Sequence, residues 1–189
     1  MQTAANVSNA KPNKAGAIWF APEGTVTSLP SDYSTAIDTT VFKCLGYVSD
    51  DGLSNDNSPS SETQKAWGGD TVLNLQTERP DSFGFKLIES RNENVLAAIY
   101  GSKNVAVSAA EGTVGDITVK ATADDMPRGV FVIDMIMKAN KKKRIVIPDG
   151  SISSLGTINY KDNEAIGYDV TVTDVPDSYG VYHYEYIQA

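Results

Sequence analysis

The sequence predicts a mainly β domain carrying one short helix, on three observations. Most apolar segments alternate with period 2, the pattern of half-buried strands. A single segment repeats its apolar residues at helical spacing, behind a capping motif. The chain has 189 residues, the size of one domain able to bury a core.

Taken in order, residues 1–15 are polar, lack both a core pattern and the apolar stretch of a secretory signal, and are expected as a flexible arm. Residues 16–189 are expected as a single β domain. Strands are predicted at AIWFA (17–21) and KCLGYVS (43–49). The intervening SDDGLSNDNSPSSETQKAWGGD (49–70) is polar and reads as a long loop, of the kind that usually serves function or a partner. Its far end carries Trp67 before Gly68 and Gly69, a tryptophan placed either to anchor an interface or to fold back on the core.

Strands resume at TVLNLQT (71–77) and SFGFKLIE (82–89), where Phe83, Phe85 and Leu87 share a face. The segment 90–101 is the helix: Ser90 and Glu93 form a capping box, Val95, Leu96 and Ile99 an apolar stripe, and Gly101 a left-handed stop, giving a helix over 90–100. DITVKAT (116–122) is the next strand. RGVFVIDMIMK (128–138) follows, with Phe131, Ile133, Met135 and Met137 on one face and Val130, Val132, Asp134 and Ile136 on the other. The second face is therefore only partly wet. ANKK (139–142) has the composition of a hairpin turn into RIVIP (144–148), so the basic run Lys141, Lys142, Lys143 and Arg144 is expected at the tip and start of the return strand. AIGYDVTVTD (165–174) and VYHYEYI (181–187) complete the strands.

Composition excludes several functions. The net charge of −8 argues against a general nucleic-acid binder, which needs a dominant basic surface. No window approaches the ~18 consecutive apolar residues of a membrane helix. Cys44 is the sole cysteine, so no internal disulfide forms, and its apolar neighbours make it a buried structural thiol. His183 is the sole histidine and reads as structural or surface; a histidine-rich zinc site is excluded. Asp50, Asp51, Asn55, Asp56 and Asn57 fail the spacing of a calcium-binding EF-hand loop. With no phosphate-binding loop and no nucleophile–base pair, no enzyme activity, metal or cofactor is expected.

The order of parts resembles the major tail proteins of long, flexible-tailed bacteriophages, the subunits of the tail tube. The resemblance runs from GAIWFAPEGT and LGYVSDDGLSNDNSP through KAWGGDTVLNLQTERPDSFGFKLIE and NVLAAIYG. It continues through VFVIDMIMK, KRIVIPDGSIS and EAIGYDVTVT to HYEYI. It implies two packed antiparallel sheets, sandwich- or barrel-like, flanked by one helix, with a long loop and an N-terminal arm. It further implies hexameric rings stacked into a tube that DNA traverses without specific binding. The implied partners are further copies of the chain, a tape measure protein in the lumen, a tail terminator and a distal tail protein, assembled in the host cytoplasm into the virion tail. On this resemblance Asp50, Asp51, Asp56 and Trp67 are candidate subunit contacts, and Lys141–Arg144 a basic contact facing away from the lumen. The competing readings are a tube protein of a contractile injection or type VI-like system, another tail or neck protein, and a carbohydrate-binding β-sandwich using Tyr182, Tyr184 and Tyr186.

Overall fold

The computed structural model describes residues 2–108 and 115–189; Met1 of the expected arm lies outside them. Its strands in chain order are β1 (Ala10–Pro12), β2 (Ile18–Pro22), β3 (Lys43–Cys44), β4 (Val48–Asp56), β5 (Ser60–Lys65), β6 (Thr71–Glu78) and β7 (Ser82–Leu87). The helix α1 (Glu93–Tyr100) comes next, then β8 (Val105–Val107), β9 (Ile117–Val119) and β10 (Arg128–Met137). The chain ends with β11 (Lys142–Leu155), β12 (Tyr168–Asp174) and β13 (Tyr184–Ile187).

All pairing is antiparallel. The main sheet runs β3-β2-β10-β11-β12-β7-β4, with β1 beside the far end of β10 and β13 beside the start of β11. Two further pairs, β5–β6 and β8–β9, are sheets of their own. Among the described residues the fold is thus mainly β with one α-helix, as the alternation predicts, and the main sheet does not close into a barrel.

Why β11 can be so long is visible in its partners. Its first part pairs β13 through Lys143–Val146, and β12 takes over only at Gly150. Pro148, which has no N–H to give a ladder, sits in the gap between them. The β10–β11 register also shifts there, between Gly129 and Phe131. Arg128 and Asp149 form a two-point ion pair across the irregularity.

Two apolar clusters explain the pattern along the central strands. Ile18 and Phe20, Phe131 and Ile133, and Ile145 and Ile147 meet Phe83, Phe85, Val170 and Val172 in the larger cluster, which α1 covers with Val95, Leu96, Ala98 and Ile99. The alternate residues Trp19 and Ala21, Val130 and Val132, and Val146 build the second cluster with Phe42. Val26, Leu29 and Ile37, from the irregular stretch before β3, and Tyr184 and Tyr186 cover it. The centre β2-β10-β11 is consequently buried on both faces. Cys44 lies half-buried against the second cluster rather than deep in the core.

Five expectations about the elements change. The helix begins at Glu93 rather than Ser90, because the Asn92 side chain caps it, accepting from the Asn94 N–H at 2.9 Å. Glu89 fixes that cap by accepting from the Asn92 amide at 2.8 Å, and its other oxygen accepts from the Tyr47 N–H at 2.9 Å. Gly101 closes the helix at φ 85°, but ψ 138° places it outside the left-handed helical region, in positive-φ space that only glycine adopts readily. The segment 43–49 is split between β3 and β4 at Gly46, where φ is 71° and a Cβ would collide with the Glu89 carboxyl.

The other two changes concern the pieces read as unstructured. Residues 49–70 are largely strand: they supply most of β4 and all of β5. The 1–15 arm is strand at Ala10–Pro12, paired with Met135–Met137 of β10, and residues 2–9 are exposed. Main-chain pairing gives these polar segments a partner that their side chains do not advertise. Among the described residues no helix is long and apolar enough to cross a membrane.

Candidate assembly surface

The most unusual feature is the β5–β6 hairpin. Every residue from Ser58 to Pro80 is exposed, on both faces of the ribbon. The strands pair only with each other, from Ser60↔Glu78 to Lys65↔Thr71. At about 3.3 Å per residue, β6 alone extends roughly 25 Å. The turn is closed by the Ala66 N–H donating to the Asp70 carbonyl at 2.7 Å, and Gly68 and Gly69 take φ of 116° and 99°. Trp67 projects from this turn fully exposed, and Val72, Leu73 and Leu75 are exposed along β6. An isolated two-stranded ribbon is marginal in water, and exposed apolar residues along one make it the candidate contact surface.

The candidate acids lie elsewhere. Asp50 and Asp51 sit in a bulge of β4, where the register against β7 jumps from Val48↔Leu87 to Leu53↔Phe85 and Gly52 has φ 76°. Both are exposed, on the strand that ends the sheet. A bulged, acidic edge resists indiscriminate strand pairing. Asp56 closes β4 and accepts from the Ser58 hydroxyl at 2.7 Å. The structure therefore separates Trp67 from the three acids by the length of the hairpin.

The basic run is divided as well. The turn is where the composition predicts, with Ala139 and Asn140 both at positive φ. Arg144, however, is no tip residue: its side chain is 4% exposed and forms a two-point ion pair with Asp134 at 2.6 and 2.9 Å. Its Nη1 also donates to the carbonyls of Asp32 and Thr35. Asp32 is itself held far below the usual carboxylate range by hydrogen bonds from the Thr35 backbone and hydroxyl and from Ser34. Lys143 pairs with Glu185 at 2.7 Å, Lys141 donates to the carbonyl of Ala189, and Lys142 is exposed. Four like charges in a row thus become one buried structural cation and three residues at the surface. Asp134 was the available signal: an acid inside an apolar strand, as far before Ala139 as Arg144 is after it.

Sequence reasoning missed a second polar cluster, at the root of the hairpin. Asp81, three residues beyond β6, is buried, accepts from the Asn55 amide at 2.7 Å and is hydrogen-bonded to His183 Nδ1. Asp174, at the end of β12, lies beside it, and its N–H donates to the Asp81 carbonyl oxygen at 3.1 Å. Burial, with the Asp81 charge adjacent, pushes the Asp174 carboxyl up to about 8. The ring of Phe83 meets the His183 imidazole edge-on, with centroids 5.2 Å apart. No local spacing announces this cluster, since its members come from four separate stretches of chain.

Two of the three tyrosines considered as a sugar platform, Tyr184 and Tyr186, are engaged in the fold. Tyr184 and Tyr186 stack at 6.4 Å against the second apolar cluster, and the Tyr184 hydroxyl donates to Asp177 at 2.6 Å. That bond raises the Tyr184 hydroxyl to about 12. The curated proteins contain no match to the chain, whereas a family model described as "Phage tail tube protein" matches residues 3–187.

Proposed function

The chain belongs to the phage tail tube protein family, and on that premise we propose that its copies close into hexameric rings stacked as the tube of a long, flexible bacteriophage tail. The family is structural, so the chain is a tail component of the virion whose work is self-assembly into a tube. The observation that carries the finer reading is the β5–β6 hairpin, a ribbon with solvent on both faces and apolar residues along it. A neighbouring subunit or ring supplies the surface it lacks within its own chain.

Two physical features support the same reading. The sheet ends at β3 and β4, and pairing such edges between neighbours satisfies their main-chain groups while continuing the sheet around a ring. Charge is the second. DNA carries about one negative charge per 1.7 Å of axis, so a basic bore would hold it. Six copies at −8 carry about −48, an acidic field that repels phosphates over the ~10 Å that salt permits. The genome then slides through without specific binding, and Lys141–Lys143 face away from the lumen. During assembly in the host cytoplasm a tape measure protein occupies that lumen, and terminator and distal tail proteins close the ends.

Electron microscopy of the purified chain at high concentration tests this. Hexagonal rings or hollow tubes are expected. A strict monomer at millimolar concentration, or rings of another symmetry, would overturn the hexameric assembly.

A further inference from the structure

We propose that Asp81, Asp174 and His183 form a binding site for one divalent transition-metal ion, of the Zn²⁺ or Mn²⁺ kind, at the root of the projecting hairpin. The three side chains each offer a donor atom, and these lie within 4.8 Å of one another. Donors around one ion at bonds of about 2.1 Å lie up to about 4.2 Å apart, so small side-chain rotations complete the set.

Asp174 is the observation that points to a ligand. It is 4% exposed, and neither of its carboxylate oxygens has a hydrogen-bond partner among the described residues. Its neighbour Asp81 is 1% exposed and also acidic. Two carboxylates buried side by side are accommodated either by a proton held on one of them or by a positive charge between them. A dication neutralises both, and a neutral imidazole adds the nitrogen donor. One nitrogen with two carboxylate oxygens suits zinc or manganese better than calcium or magnesium, which prefer all-oxygen surroundings.

The surroundings also hold the donors in place, as second-layer groups do around metal ligands. The Asn55 amide donates to Asp81 at 2.7 Å and to the Ser82 carbonyl at 3.1 Å, fixing the Asp81 carboxylate. The Asp174 N–H to Asp81 carbonyl bond ties the two acidic segments together. The Phe83 edge sets the plane of the imidazole. The bound ion would clamp three parts of the chain: the return from the hairpin at Asp81, the end of β12, and the approach to β13 at His183. This inference stands on the cluster alone and does not depend on how subunits assemble.

The test uses the untagged full chain, stripped with a chelator and titrated with Zn²⁺ and Mn²⁺ separately by calorimetry. One equivalent is expected to bind with a dissociation constant of micromolar order or tighter, with a rise in Tm. His183 is the only histidine, so its ring nitrogens give a single pair of NMR signals. One of them is expected to move to a metal-bound position with Zn²⁺. Asp174→Asn, which keeps the side-chain shape, should weaken binding by at least about a hundredfold, and Asn55→Ala by about tenfold. His183→Gln serves as the second ligand variant should Asp174→Asn not fold. No saturable binding below millimolar metal, or one-equivalent binding that leaves the His183 signals unmoved and survives both ligand substitutions, overturns the site.

Discussion

The β10–β11 and β5–β6 hairpins are built from the same antiparallel ladder and have opposite surroundings. The first is buried on both faces, because β10 and β11 send alternate side chains into two different clusters. The second is exposed on both faces along its whole length. In β10 and β11, apolar residues occupy both registers, Val130 and Val132 as well as Phe131 and Ile133. In β5 every residue is polar, and only β6 carries Val72, Leu73 and Leu75. A strand with one apolar partner strand and nothing beneath it is half of a packing arrangement. One hairpin is packed into the subunit, and the other makes no packing contact on either of its faces.

The largest effect should come from excising the exposed ribbon. Replacing residues 60–78 with a short glycine turn leaves β4, β7 and both clusters intact. Thermal unfolding should stay within a few degrees of the parent, while tubes disappear from micrographs. Excising 49–70 is a different experiment, because it removes most of β4 and exposes the side of β7. Normal tubes from the 60–78 variant would assign the hairpin no part in assembly. Loss of folding would show that it stabilises its own subunit.

Next comes the buried hairpin's ion pair. Arg144→Ala leaves Asp134 buried without its cation, which typically costs about 3–5 kcal/mol. Urea unfolding should report a loss of that size. Pairing it with Asp134→Leu should recover part of the loss by removing the unpaired charge. Recovery stays partial because the carbonyls of Asp32 and Thr35 lose the Arg144 donor in both variants. An unchanged midpoint in the single variant would mean that the pair is solvated and the second cluster open.

The same contrast explains what was legible in the sequence. Period-2 alternation located the strands whose side chains pack, such as Phe83, Phe85 and Leu87. It failed at 49–70, where pairing is through the main chain and the side chains are Ser, Asp, Asn, Glu and Thr. Four adjacent charges at 141–144 suggested a solvated tip, yet strand geometry sends neighbours to opposite faces and places Arg144 with Val146. The helix was recognisable from Val95, Leu96 and Ile99, but its start was misplaced at Ser90, because Asn92 caps it and Glu89 holds Asn92 through a contact outside the helix. The Asp81–Asp174–His183 cluster was invisible because Asp81 and His183 lie 102 positions apart.

The smallest effect lies in the turns, where the two hairpins differ once more. The exposed ribbon turns through Gly68 and Gly69, residues that reach positive φ without a Cβ clash. The buried hairpin turns through Ala139 (φ 59°, ψ 28°) and Asn140 (φ 60°). Asn tolerates this left-handed region because its side chain hydrogen-bonds locally, whereas alanine has only the Cβ clash, worth about 1–2 kcal/mol. Strand pairing on either side, Ile136↔Lys142 and Met135↔Lys143, holds Ala139 there regardless. Ala139→Gly removes the clash but gives the unfolded chain more freedom, which returns about 0.4–1 kcal/mol. The net expectation is a gain of about 0.5–1 kcal/mol, or a Tm higher by about 2 °C for a domain of this size. A fall in Tm would show that the turn relaxes away from the left-handed region in solution, and that the buried hairpin is less tightly determined at its tip than along its strands.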